Sequence, residues 1–332
     1  MKIIFIHLGY KKRVHVAHLL MAKAGNVKVH FGFMPKRLCF LYRFNAIFHQ
    51  LAGFIQSFFI PKADVYLIES PECMPAIWFK AKKTKVIMIN DGPFFPLFHT
   101  YKGLKKRYSL AIIKKIDALI STSNLMKKYA EKYIKVPNKI VYHSIDTKKF
   151  SKIRPNYSSN NICSISTARY SKGADILLDV HKIFKSKFKD SKLFVLGEEG
   201  YSKELRKCKD VINPDFTDPV KYLANSGLYI NPARIEPFGI NILEAMCAGI
   251  PPLVSKFCGA AEIVKKVDPW LVTSLNPKEI AEKAVKLHKD LNLKRKLGQK
   301  CKREALKYTQ ERTVKEFKVK FAKILKELGV KR

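Results

Sequence analysis

Two glutamates, Glu236 and Glu244, flank a Pro-Phe-Gly helix start within the segment PARIEPFGINILEAMCAGIPPLVSKFCGAA, residues 232–261. Gly239 opens that helix with a bare backbone. The N–H groups of Phe238, Gly239 and Ile240, at the positive end of the helix dipole, can therefore face an anion. A carboxylate beyond the anion can accept from vicinal hydroxyls such as a ribose offers. Acids at a helix start also favour the dipole with no ligand present, so the spacing alone decides little. The surrounding residues add more. Between Ile240 and Gly249 only Asn241 and Glu244 are polar, which predicts a buried helix. A buried carboxylate needs a partner, and a ligand hydroxyl or a structural donor would serve equally.

The elements that must hold these residues follow from periodicity. KIIFIHL, NVKVHFGF, DVYLIES, TKVIMIND, DALISTS and KIVYHS read as short apolar strands. VHVAHLLMAKAG and NLMKKYAEKY read as helices between them. The alternation resumes with NICSIST, KLFVLGE, GLYINPAR and PPLVSK as strands, separated by GADILLDVHKIFKSKF, PVKYLANS and the glutamate-bearing helix. Such alternation predicts parallel sheets covered by helices on both faces. Residues 152–161, KIRPNYSSNN, are polar and aperiodic and read as a linker. The expected division is 1–152 with a returning helix at 305–330, and 153–304. The tail is strongly helical, with Phe317, Phe321, Ile324, Leu325 and Leu328 along one stripe.

At 332 residues the chain is long enough for two cores. No apolar run approaches a membrane span, and MKIIFIHLGY reads as a strand, not as a signal peptide. Seven cysteines, at 39, 73, 163, 208, 247, 258 and 301, are scattered without C-x-x-C spacing. That pattern fits reduced thiols of a cytoplasmic protein and excludes a disulfide framework or zinc site. The net charge of +37 comes from 64 basic residues, of which 12 are Arg. Lys supplies a diffuse field without base readout, so nucleic acid is not the expected partner. Residues 1–150 hold 27 basic and 7 acidic side chains. Such a half suits an anionic membrane or a phosphate-bearing acceptor, although Lys-rich composition from a hot habitat would look the same.

The order E-x7-E around P-F-G, followed by E-A-M-x-x-G-x-P, resembles the nucleotide-binding signature of family 4 glycosyltransferases of the GT-B fold. Other segments agree in order. HSIDTKKF (143–150) resembles the element that ends that family's first domain, and TARYSKGADILL (167–178) the segment that opens its second. DALISTS (117–123) and FVLGEEG (194–200) also match. The resemblance covers residues 115–265 well and the first 110 in outline. It implies two Rossmann-like domains facing across a cleft, with the terminal helix crossing back to the first.

By this resemblance Arg169 and Lys172 hold the donor diphosphate, Glu244 accepts from the ribose and Glu236 lies beside the transferred sugar. Cations placed where the leaving diphosphate gains charge stabilise the transition state more than the ground state. The sequence lacks D-x-D, P-loop, G-x-G-x-x-G and H-E-x-x-H patterns, so cationic side chains and a helix dipole suffice and neither metal nor cofactor is expected. Transfer with retained anomeric configuration is implied, through an oxocarbenium-like state. On the acceptor side, Asp91 either orients a hydroxyl or makes an Asp-Gly turn. His99 is a further candidate, and Gly9 would let a phosphate or sugar approach the backbone.

Residues 36–60 place Leu41, Phe44, Phe48, Leu51, Ile55 and Phe58 at helical spacing behind Lys36, Arg37 and Arg43, and 94–108 repeat the aromatic and basic theme. Each is either a helix packed on the sheet or a face for an anionic membrane. The expected protein is thus a cytoplasmic, peripheral glycosyltransferase moving a sugar from a nucleotide-sugar to a glycan or lipid-linked acceptor. Rival expectations are a nucleotide-sugar epimerase, or a basic membrane- or nucleic-acid-binding protein on an inactive scaffold.

Overall fold

The computed structural model describes residues 1–7, 16–25, 27–31, 53–55, 57–82, 84–165, 168–197, 200–214 and 217–330. The chain divides into two compact units, Met1–His143 with Gln310–Arg332, and Ser144–Thr309.

The first unit is built on a six-stranded sheet. Its strands are β1 (Ile3–His7), β2 (Lys28–Phe31), β3 (Val65–Ile68), β4 (Lys85–Asn90), β5 (Ala118–Ser121) and β6 (Asn138–Ile140). They lie in the order β2-β1-β3-β4-β5-β6, with every neighbouring pair parallel. Parallel strands covered on both faces should be apolar throughout, and β1 and β3 are buried along their whole length. One face packs Tyr66, Met88, Phe95 and Phe98. The other packs Phe5, Leu67 and Met21, the last from helix α1 (Val16–Ala24), against Phe317, Phe321, Ile324 and Leu325. Helix α2 (Gly103–Ile113) and helix α3 (Asn124–Glu131) flank β4 and β5 in sequence.

The second sheet comprises β7 (Ile162–Ile165), β8 (Leu193–Leu196), β9 (Val211–Ile212), β10 (Leu228–Asn231), β11 (Pro252–Ser255) and β12 (Val272–Thr273). Its order is β12-β11-β10-β7-β8-β9, again all parallel. Helix α4 (Ala174–Lys185) follows β7, and helix α5 (Ile240–Cys247) follows β10. Helices α6 (Pro277–Lys289) and α7 (Leu291–Ala305) follow β12, and α8 (Gln310–Glu327) ends the chain in the first unit. The two Rossmann-like units expected from the alternation are present, together with the returning helix.

The changeover falls at 143/144 and 309/310, where the sequence suggested 152/153 and 304/305. The segment expected as a linker is packed onto the second unit. Tyr157 donates its hydroxyl to the Gly249 carbonyl at 2.8 Å, and the buried Lys294 ammonium donates to the Tyr157 carbonyl at 2.6 Å. A polar, aperiodic composition hid these two anchors.

Candidate functional site

In the second sheet β7 and β10 are adjacent but not consecutive in the chain, which makes their C-terminal ends the switch point where open α/β sheets take ligands. After β7 the chain passes Arg169 and makes a single turn over Tyr170–Lys172; after β10 it passes through residues 232–239 into α5. The two loops are knitted together. The Arg234 and Ile235 N–H groups both donate to the Ser171 carbonyl, at 2.9 and 3.2 Å. The Arg234 guanidinium reaches the Tyr170 carbonyl at 2.7 Å, grips both Asp175 oxygens at 2.7 Å, and covers the Tyr170 ring. These hydrogen bonds hold the Asp175 carboxyl below its ordinary range despite the opposing effect of burial. Gly173 closes the turn at φ +77, and a Cβ there would lie 2.2 Å from the Pro232 carbonyl oxygen. Only glycine meets both demands.

This framework holds the candidate side chains. The Lys172 ammonium meets the Glu236 carboxylate at 2.8 Å, with both side chains mostly buried. The Glu236 backbone is itself anchored, its N–H donating to the Phe257 carbonyl and its carbonyl accepting from the Gly259 N–H. Arg169 stands exposed at the start of the same turn. Phe238 is buried, and Gly239 reverses the chain at φ +91 into α5. Among the described residues no acceptor takes the N–H of Gly239 or Ile240. Helix α5 is buried along Ile242, Leu243, Ala245, Met246 and Cys247, as its composition predicted.

Glu244 lies within α5. No hydrogen-bond donor or paired cation reaches its carboxylate among the described residues. Burial pushes its pKa up to about 7; Lys149 opposes the rise and Asp218 adds to it. A half-buried carboxylate with no structural donor is suited to hydroxyls that arrive with a ligand.

Asp91 lies in the first unit, one residue beyond β4. Its Oδ2 accepts from His143 Nε2 at 2.8 Å and faces His18 Nε2 at 3.2 Å, while Oδ1 accepts from Thr122 at 3.0 Å. The second nitrogen of His18 faces Glu69 at 2.9 Å, and Glu69 also pairs with His7. Burial alone would raise the Asp91 pKa, but His143 and His18 hold it well below the carboxylate range. His7 ends β1 and Glu69 follows β3, the adjacent non-consecutive strands of the first sheet, so the network occupies that sheet's switch point. Asp91 was singled out by sequence, but its partners were not seen as a cluster, because they come from separate strand ends and from helix α1; a His or acid at the end of successive apolar strands is the signal that could have found most of them. The ligand atoms of His18, Asp91 and His143 lie within 4.8 Å of one another and could together hold a divalent ion.

The remaining candidates stand apart. His99 is exposed, its Nδ1 hydrogen-bonding the Pro96 carbonyl at 2.9 Å. Gly9 lies outside the described residues.

Two Rossmann-like units, the second with cations and carboxylates converging at its switch point, define the GT-B fold. Residues 146–304, nearly the whole second unit, match the family described as glycosyl transferases group 1. The chain is 23% identical over 233 residues to the lipopolysaccharide core biosynthesis mannosyltransferase LpsB of Rhizobium meliloti, covering 60% of this chain and 65% of that protein. It is 29% identical over 168 residues to sucrose-phosphate synthase 1 of Arabidopsis thaliana, covering 48% of this chain but 15% of the plant enzyme. The match thus spans less than two thirds of either relative. Among solved structures, the Anabaena protein HepE in complex with UDP and glucose superposes with a TM-score of 0.75 at 16% identity, over 98% of this chain and 100% of that one.

Proposed function

We propose that this protein transfers a sugar from a nucleoside diphosphate-sugar to a glycan or lipid-linked acceptor, with the anomeric configuration retained. The observation that carries the reading is Glu244, a half-buried carboxylate at the second unit's switch point with no donor among the described residues. In this reading Glu244 accepts from the two ribose hydroxyls. The Gly239 and Ile240 N–H groups, with Phe238 beside them, receive the diphosphate. Lys172 and Arg169 stabilise the charge that the diphosphate gains as the glycosidic bond breaks, a demand greatest in the transition state. Glu236, oriented by Lys172, lies beside the sugar and accepts from its hydroxyls. Asp91, already engaged by His143, His18 and Thr122, serves the acceptor side as a fixed negative charge.

The family match supports the transferase class, and the likeness to HepE, solved in complex with UDP and glucose, supports a nucleotide-sugar donor. The narrower assignment to family 4, retention and the acceptor class rest on the sequence resemblance. Neutralisation of the leaving group by side chains predicts turnover that survives chelation by EDTA. The test is a panel of UDP-, GDP- and ADP-sugars with and without glycan and lipid acceptors, followed by NMR of the product anomer. One donor consumed, with an axial bond kept axial, bears the proposal out. An inverted product removes the retaining mechanism, and no consumption of any donor removes the transferase reading.

A further inference from the structure

The four most exposed large apolar side chains among the described residues are Phe58 at 85%, Leu104 at 81%, Phe59 at 74% and Phe79 at 65%. All four lie in the first unit, and ring contacts and a hydrogen bond link them into one neighbourhood. Phe54 packs its ring against both Trp78 and Phe79, at centroid distances of 6.3 and 6.1 Å. Trp78 stacks on Tyr108 of α2 at 5.9 Å, and Leu104 lies one helical turn before Tyr108 on the same helix. Lys80 donates to the Ser57 carbonyl, which joins Phe79 to the turn carrying Phe58 and Phe59. Single exposed apolar residues are ordinary, but aromatic side chains gathered in one place mark an interaction surface.

Its charge identifies the partner. Lys62, Lys80, Lys82, Lys102, Lys105, Lys106, Arg107, Lys114 and Lys115 belong to the same segments. None of them forms an ion pair with a carboxylate among the described residues. Burial lowers the pKa of Lys80 and Lys115, and the neighbouring Lys62 and Lys82 lower them further, which shows cations crowded against one another. Glu72 is the acid felt by this surface, through Tyr101 and Tyr108. Lys115 and Lys105 lie over the Trp78 and Tyr101 rings, at 4.5 and 3.9 Å, keeping charge directly beside aromatic carbon.

From this arrangement we infer that the face bearing Phe58, Phe59, Phe79 and Leu104 seats the protein on an anionic lipid bilayer, the side chains entering the interface and the lysines meeting the headgroups. Shallow insertion of rings with a surrounding lysine field is how interfacial attachment gains strength from both apolar area and anionic lipid. No helix among the described residues is long and apolar enough to cross a membrane. Part of the surface was expected elsewhere. Phe94, Phe95 and Phe98, read from the sequence as either core packing or part of a membrane face, are buried in the first unit's core. The 36–60 helix falls outside the described residues except at its end, where Ile55 and Phe58 are exposed.

The test is co-sedimentation with vesicles of phosphatidylcholine alone and of three parts phosphatidylcholine to one part phosphatidylglycerol. Wild type is compared with Phe58→Ser/Leu104→Ser and with Lys105→Glu/Lys106→Glu, and donor hydrolysis is measured in parallel. Wild type is expected to sediment only with the anionic vesicles and to be released by high salt. Each double variant should bind roughly tenfold more weakly. Donor hydrolysis should be unchanged in both variants, which separates this surface from the proposed transferase site. Wild type remaining in the supernatant at low salt, or both variants binding as wild type does, overturns the assignment. So does self-association of wild type that Phe58→Ser/Leu104→Ser abolishes without altering vesicle binding, since the face would then join two copies.

Discussion

At the residue scale, Glu244 and Asp91 show how environment assigns opposite roles to two carboxylates. Glu244 has no donor among the described residues, and burial moves its pKa to about 7. The folded state therefore holds an extra proton between the ordinary glutamate value and about 7, and stability falls as pH rises through that window. Glu244→Gln should remove this fall, worth at most about 3 kcal/mol, in melting curves recorded across the window. Asp91 has the reverse sign. Its pKa is depressed by His143 and His18, so its contribution is complete above the ordinary aspartate value and is lost as pH falls toward the depressed one. Asp91→Asn should destabilise at neutral pH by about 1.5–3 kcal/mol, the worth of a charged hydrogen bond, and flatten the acid limb of the stability curve. Glu236, Glu244 and Lys172 stood out as candidates in the sequence because they sit within contiguous patterns. His7, His18 and Glu69 did not, since only the fold brings helix α1 against the ends of β1 and β3.

At the element scale, the turn over Tyr170–Lys172 and the loop before α5 form one unit held by Arg234 and Gly173. Gly173→Ala would force a Cβ against the Pro232 carbonyl at a positive φ, and should cost about 1–3 kcal/mol while weakening donor binding through Lys172. Gly92→Ala is the control: its added Cβ meets nothing, so its melting temperature should match wild type. Arg234→Lys should lose about 1–2 kcal/mol, because an ammonium cannot reproduce the two-pronged contact with Asp175. The sequence pointed to α5 as a buried helix from its apolar run. Arg234 itself read only as part of a motif; its staple to Asp175 depends on two loops meeting at adjacent strand ends. The Phe94–Phe98 aromatics stayed ambiguous for a related reason, since clustered rings look alike whether they face a core or a surface.

At the scale of the whole molecule, the C-terminal helix belongs to the first unit, where Phe317, Phe321, Ile324 and Leu325 complete one face of the sheet. The stripe was visible in the sequence, whereas its destination came from the family resemblance. Phe321→Ala should cost about 3–5 kcal/mol, seen as a lowered melting temperature with donor affinity retained in the surviving folded fraction. Charge acts across the molecule too: +37 makes any anionic ligand approach faster at low salt, so controls must be matched in ionic strength. The most direct measurement is calorimetric titration of UDP, GDP and ADP into wild type and Glu244→Ala at pH 8 and fixed salt. The account predicts that one diphosphate binds wild type about 10- to 150-fold more tightly than the variant, the loss of one charged hydrogen bond. Equal affinity for both proteins would contradict the role given to Glu244, and no binding of any nucleotide would contradict the donor site as a whole.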